Sequence, residues 1–247
     1  MSKNKALQIV WGLALSLFSA CSFFSGTETD VKKNEIGMLP AEDRKYVLKS
    51  AIIKLKSSKP ILGSDVESTI YFDDYGDKYC NITDTKLKYK NTTIVTGSIS
   101  ITKNDYTYTY NPEKKTGTKS RNKGNFNPMH IDFSKMDAQS LESNGIRKVG
   151  QSVYLGRDCD VYEMENPSLE MTGRYEVWNK IPLKYFTKIG SSQIEMYVTE
   201  IDENALVPES IFDLPKDVEF IEATNPLVSP TEHAPSDSVL NLPEQEK

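Results

Sequence analysis

The sequence predicts a mainly β, antiparallel domain between residues 40 and 222, and three observations carry that expectation. Polar and apolar residues alternate through Thr92 to Pro112, TTIVTGSISITKNDYTYTYNP, with the period of two that a half-buried strand requires. Similar runs, rich in Val, Ile, Thr and Tyr, recur between clusters of Gly, Asp and Asn. With an N-terminal leader set aside, about 227 of the 247 residues remain, which suits one large β domain.

The leader is residues 1–20. Lys3 and Lys5 precede a mostly apolar run from Ala6 to Ala20, the plan of a secretory signal. The run is shorter than the roughly 20 apolar residues of a spanning helix. Ordinary signal cleavage after Ala20 would set the bulky Phe18 where a small residue is required. Leu17-Phe18-Ser19-Ala20-Cys21 instead resembles a bacterial lipobox, with Phe18 where Leu is usual, and this makes Cys21 the lipidated N-terminus. The competing reading is a free or disulfide-bonded Cys21 in an ordinary secreted protein. Ser22 is not the Asp that often retains lipoproteins at the inner membrane, so the anchor is expected in the outer membrane, facing the periplasm.

Residues 21–39 read as a lipidated flexible tether, polar and without periodicity. As a coil of about 18 residues it would span on the order of 25 Å. Pro40 to Asp43 suits the first turn of a short helix, because Pro favours the first helical position and acids favour the N-terminus. SAIIKLKSS then reads as a strand, and STIYFDDYGDKYCNIT as a hairpin turning at Asp74 to Asp77. Asp73, Asp74 and Asp77 lack the alternating ligands and distal Glu of a calcium loop, and Asp and Gly are what a tight turn selects.

In the alternating run Tyr106, Tyr108 and Tyr110 share one strand face, either as an aromatic cleft wall or as ordinary packing. Residues 114–124 read as a solvated basic loop, with contact to anionic head groups as the alternative. Phe133 to Arg147 has imperfect helical spacing through Met136, Leu141 and Ile146 and ends at Asn144-Gly145.

Three further strands follow: QSVYLGRDCDVYEME, GRYEVWNKIPLKYFTKI and SQIEMYVTEIDEN. In the second, Tyr175, Val177, Ile181, Leu183 and Tyr185 share a face, and Pro182 places it at an edge or a bend. ESIFDLPKDVEFIEA closes the domain. Residues 223–247, broken by Pro226, Pro230, Pro235 and Pro243, read as a disordered tail.

Composition narrows the function classes. The net charge of −5 disfavours a nucleic-acid partner. With Cys21 assigned to lipid, Cys80 and Cys159 remain, and an even pair in an oxidising compartment predicts one disulfide, with two separate buried thiols as the alternative. The histidines are His130 and His233, and no triad, zinc motif, redox motif or phosphate loop is legible. No catalytic residue, metal ligand or cofactor is assigned; acids flank Cys159 and discourage a thiolate.

The motifs Ile70-Tyr71-Phe72-Asp73-Asp74-Tyr75-Gly76, Gly156-Arg157-Asp158-Cys159, Trp178-Asn179-Lys180-Ile181-Pro182-Leu183-Lys184 and Phe212-Asp213-Leu214-Pro215 occur in that order. Their order resembles uncharacterised envelope proteins related to the lipoprotein-carrier (LolA/LolB-like) superfamily. The resemblance implies a strongly curved antiparallel sheet, an open half-barrel, with helices over its concave face and acyl chains or other apolar ligands held between. On that reading the cleft lining is Val177, Ile181, Leu183 and Tyr185, with Tyr106, Tyr108 and Tyr110. The rival is a structural or interaction lipoprotein whose core is filled by its own side chains. No protein partner is legible, and no carrier-specific residue aligns.

Overall fold

Where polar and apolar residues alternate, the chain forms strands. The structure, a computed structural model, describes residues 44–61, 64–89, 92–122 and 128–223. The leader, Cys21, the tether, the helix expected at Pro40 to Asp43 and the tail beyond Ala223 lie outside the described residues.

The described strands build one sheet from two antiparallel meanders. The first comprises β1 (Ala51–Ser57), β2 (Ser64–Asp73), β3 (Lys78–Tyr89), β4 (Thr92–Lys103), β5 (Tyr106–Tyr110) and β6 (Thr116–Arg121). The second comprises β7 (Ile146–Tyr154), β8 (Arg157–Asn166), β9 (Met171–Trp178), β10 (Ile181–Ile189) and β11 (Ser192–Glu203). They join where β1 pairs with β11, and a short β12 (Glu219–Glu222) adds to β6 in parallel. The order is β12-β6-β5-β4-β3-β2-β1-β11-β10-β9-β8-β7, so the sheet is open, with edges at β12 and β7.

The second meander curls. Three strands separate β7 from β11, on the order of 19 Å if the sheet were flat. Yet the Tyr154 hydroxyl donates to the carbonyl oxygen of Val198 at 2.8 Å. Irregular registers at Lys54/Leu55, Pro182/Lys184 and Lys148/Gly150 supply local bulges that increase bend and twist.

Alternation assigns the faces. Ala51, Ile53 and Leu55 are buried on the inner face, opposite Phe72 and Ile70 of β2, while Lys54 and Lys56 point outward. The main core lies on this inner face, through Tyr46, Ile53, Phe72, Tyr79, Tyr175 and Leu183. A smaller cluster of Cys80, Ile101 and Phe212 forms on the outer face beneath the 3-10 turn Glu209–Phe212.

Four expectations are corrected. QSVYLGRDCDVYEME, expected as one strand, is a hairpin in which Leu155 and Gly156, both at positive φ, turn β7 into β8. The helix of Phe133 to Arg147 shrinks to α1 (Ala138–Ser143), capped by the Asp137 side chain. Phe133 lies in a 3-10 turn before it, and Ile146 opens β7, so its apolar residues belong to three different elements. Residues 116–121 of the expected basic loop form β6. GRYEVWNKIPLKYFTKI is a hairpin instead of one strand: Asn179 and Lys180, both at positive φ, turn β9 into β10. Pro182 sits in the bulge of a central strand.

The turn at Asp74 to Gly76 holds as expected and carries three successive positive φ values, 50°, 58° and 91°. Gly76 is required there, since a Cβ would lie 2.7 Å from the Tyr46 ring as well as face the conformational cost.

Candidate functional site

The sequence-based expectation sets an apolar ligand over the inner face, and in this chain a strap of its own residues packs there. Residues 128–136 run as two short 3-10 turns, Pro128–His130 and Phe133–Lys135. Met129, Ile131 and Phe133, spaced two apart, all bury into the main core. Phe133 stacks on Tyr162 with ring centroids 4.4 Å apart and leans on Tyr175 at 5.3 Å. His130 meets the Tyr79 ring edge-on at 4.5 Å.

Polar contacts fasten the strap. The Tyr46 hydroxyl donates to the Met129 carbonyl at 3.0 Å, and Tyr46 packs on Phe72 at 4.4 Å. Lys180, on the β9–β10 turn, pairs with Asp132 at 2.8 Å and donates to the Arg44 carbonyl. Burial, with a smaller contribution from nearby Lys45, holds the His130 imidazole down to about 3 and therefore neutral; its buried Nε2 has no hydrogen-bond partner among the described residues. Burial likewise raises the hydroxyl pKa values of Tyr46 and Tyr185.

The structure divides the residues proposed to line a cleft. Ile181, Leu183 and Tyr185 are buried in the main core and Val177 packs against it. Tyr106, Tyr108 and Tyr110 occupy the opposite face, in register with Lys103, Ile101 and Ile99. There they form an edge cover: Phe220 of β12 meets Tyr108 at 5.2 Å and Tyr110 at 6.0 Å, both edge-on, and Lys119 lies 3.9 Å over Tyr106. Gly117 leaves the room that Phe220 fills, since a Cβ there would come within 2.8 Å of that ring. The two tyrosine-bearing sets cannot line one cleft.

The expected disulfide is also corrected. Cys80 and Cys159 are free and buried. Cys80 lies on β3 in the outer cluster, Cys159 on β8 in the main core, and five strands intervene. A bridge requires Cα atoms within about 7 Å, and the two cysteines stand on strands six steps apart in the sheet order. Burial raises the Cys80 thiol to about 11 and also raises Cys159, where the neighbouring Glu176 adds to it, so neither is poised as a thiolate.

Among the described residues no group of three or more His, Cys, Asp or Glu could hold a metal ion, and no helix is long and apolar enough to cross a membrane. A shallow depression of about 230 Å³ near the β7 edge is charged: Glu163 pairs there with Arg147 at 3.0 Å and Arg174 at 2.7 Å.

The sequence matches no protein-family model and no curated relative. Solved structures similar to the chain include LolA superfamily proteins. One, from Nitrosomonas europaea, is 9% identical with a TM-score of 0.33, the match covering 70% of this chain and 94% of that one. An uncharacterised conserved protein from Thermus thermophilus is 10% identical with a TM-score of 0.46, over 73% and 94%. The Pseudomonas aeruginosa MucA/MucB complex gives 14% identity and a TM-score of 0.42, over 73% and 60%. The open, mainly β antiparallel sheet is the architecture expected from the sequence, and short turns stand where most covering helices were expected.

Sequence reasoning missed the strap. Its signal was the apolar set Met129, Ile131 and Phe133 at i, i+2 and i+4, a spacing that reads as a strand although the segment folds as two 3-10 turns.

Proposed function

We propose that this protein is a non-enzymatic lipoprotein of the bacterial envelope, anchored through Cys21, that acts as an interaction or structural module with its inner face closed by its own strap. The observation that carries the reading is the burial of Met129, Ile131 and Phe133 on the face where a carrier would leave space. Three such side chains contribute about 5–9 kcal/mol by area burial, and they are covalently in place. Eight methylenes of an acyl chain would contribute about 6 kcal/mol before the costs of association, so a ligand gains little by displacing the strap.

The test is native mass spectrometry of the purified protein, with extraction of co-purified lipid, followed by titration with a fluorescent fatty acid. The proposal expects no enriched lipid and no saturable binding. Stoichiometric lipid would return the inner face to the carrier reading.

A further inference from the structure

Several turns gather at one end of the sheet, forming a rim where the described chain begins. Val47 N–H lies 3.5 Å from the Asn179 carbonyl, Asn204 N–H donates to the Ser50 carbonyl at 2.9 Å, and the Ser50 hydroxyl donates to the Ala205 carbonyl at 2.9 Å. The curled β7–β8 hairpin reaches the same rim: Arg157 pairs with Glu203 at 2.6 Å and lies 4.9 Å over the Trp178 ring. Large aliphatic side chains point outward from this rim, with Leu206 97% exposed, Val153 69%, Val47 53% and Leu155 43%.

Leu155 is the most telling. It takes φ 50° at the first position of a two-residue hairpin turn before Gly156, where Asn, Asp or Gly relieve the strain and an exposed Leu gains nothing from packing. Asn179 fills the equivalent place in the β9–β10 turn beside it.

We propose that this rim, through Val47, Val153, Leu155 and Leu206, docks on the surface of a lipid bilayer. The occupant follows from where the preceding chain enters: residues 1–43, which include the lipid-bearing Cys21 of the reading above, join the domain at Arg44 on this rim. The inference rests on that anchor reading, because a few aliphatic side chains bind a membrane weakly alone and effectively once a tether raises their local concentration.

Trp178 sits at the rim and is the sole tryptophan from Cys21 onward, so it reports contact directly. The chain from Cys21, which retains every described residue, is coupled through its Cys21 thiol to a maleimide-bearing lipid in phosphatidylcholine vesicles; Cys80 and Cys159 are buried and do not compete. Acyl-brominated phosphatidylcholine should then quench Trp178. The Leu155→Asn/Leu206→Ser double variant should remain coupled and folded yet lose that quenching, while Val95→Ser, in the β3–β4 hairpin at the opposite end, should keep it. An unquenched Trp178 in the coupled wild type, or quenching unchanged in the double variant, overturns the proposal. Coupling is chemical, so a failure of acylation in the cell is read separately, by palmitate labelling.

Discussion

Lys180 and Asp132 form an ion pair at 2.8 Å with both side chains less than one fifth exposed, and it fastens the strap to the β9–β10 turn. Removing one partner leaves the other charge largely desolvated, and for a fully buried pair that costs about 3–5 kcal/mol. With the remaining exposure, Lys180→Ala should destabilise by about 2 kcal/mol, read as a lower midpoint in urea. Lys180→Met combined with Asp132→Leu should recover much of the loss. A double variant no better than the single one would count against an electrostatic cause.

Phe133 stands between Tyr162 and Tyr175, so Phe133→Ala should cost about 3–5 kcal/mol. It should also open an apolar void beneath the strap. If the strap is what closes the inner face, this variant, still folded by circular dichroism, should acquire saturable fatty-acid binding absent in the parent.

The two thiols give a direct chemical check. In the folded protein Cys80 and Cys159 should resist a thiol reagent, because both are buried and held protonated at neutral pH. Unfolding without reductant should release both, and adding reductant should leave the melting temperature unchanged. Failure of Cys80 and Cys159 to titrate in the unfolded, unreduced chain would restore the bridge.

His130 should give the protein an acid-sensitive stability. Its folded pKa is depressed from the ordinary 6.5 to about 3, so between these values the unfolded chain binds a proton that the native state does not. Stability therefore rises with pH across this window; the contribution is complete above about 6.5 and is lost as pH falls. From pH 6.5 to 4.5 His130 should account for about 2–3 kcal/mol, and His130→Leu should remove that part of the slope, leaving what the glutamates add near the lower end. The same slope in the variant would assign it to other groups.

Cys21 lies outside the described residues, and the lipid proposed for it is tested in cells. Cys21→Ala should abolish incorporation of labelled palmitate and block maturation of the precursor. Continued labelling would refute the anchor.

Much of the sheet was legible because alternation is a local property. Strands around Ala51, Ile70, Ile101 and Tyr175 announced themselves by period two, and the turn at Asp74 to Gly76 by residues that accept positive φ. The expectation of a leader and of a lipobox at Cys21 also comes from the sequence by itself, since processing signals are read along the chain. Tertiary structure alone decided which strands meet. Pairing of β1 with β11 joins residues some 150 positions apart, and the resulting order separates Cys80 from Cys159 and turns Tyr108 away from Tyr185. It also decided that residues 128–136 fill the inner face, because covering an apolar sheet depends on which segment reaches it first in space, and burial has no direction along the sequence.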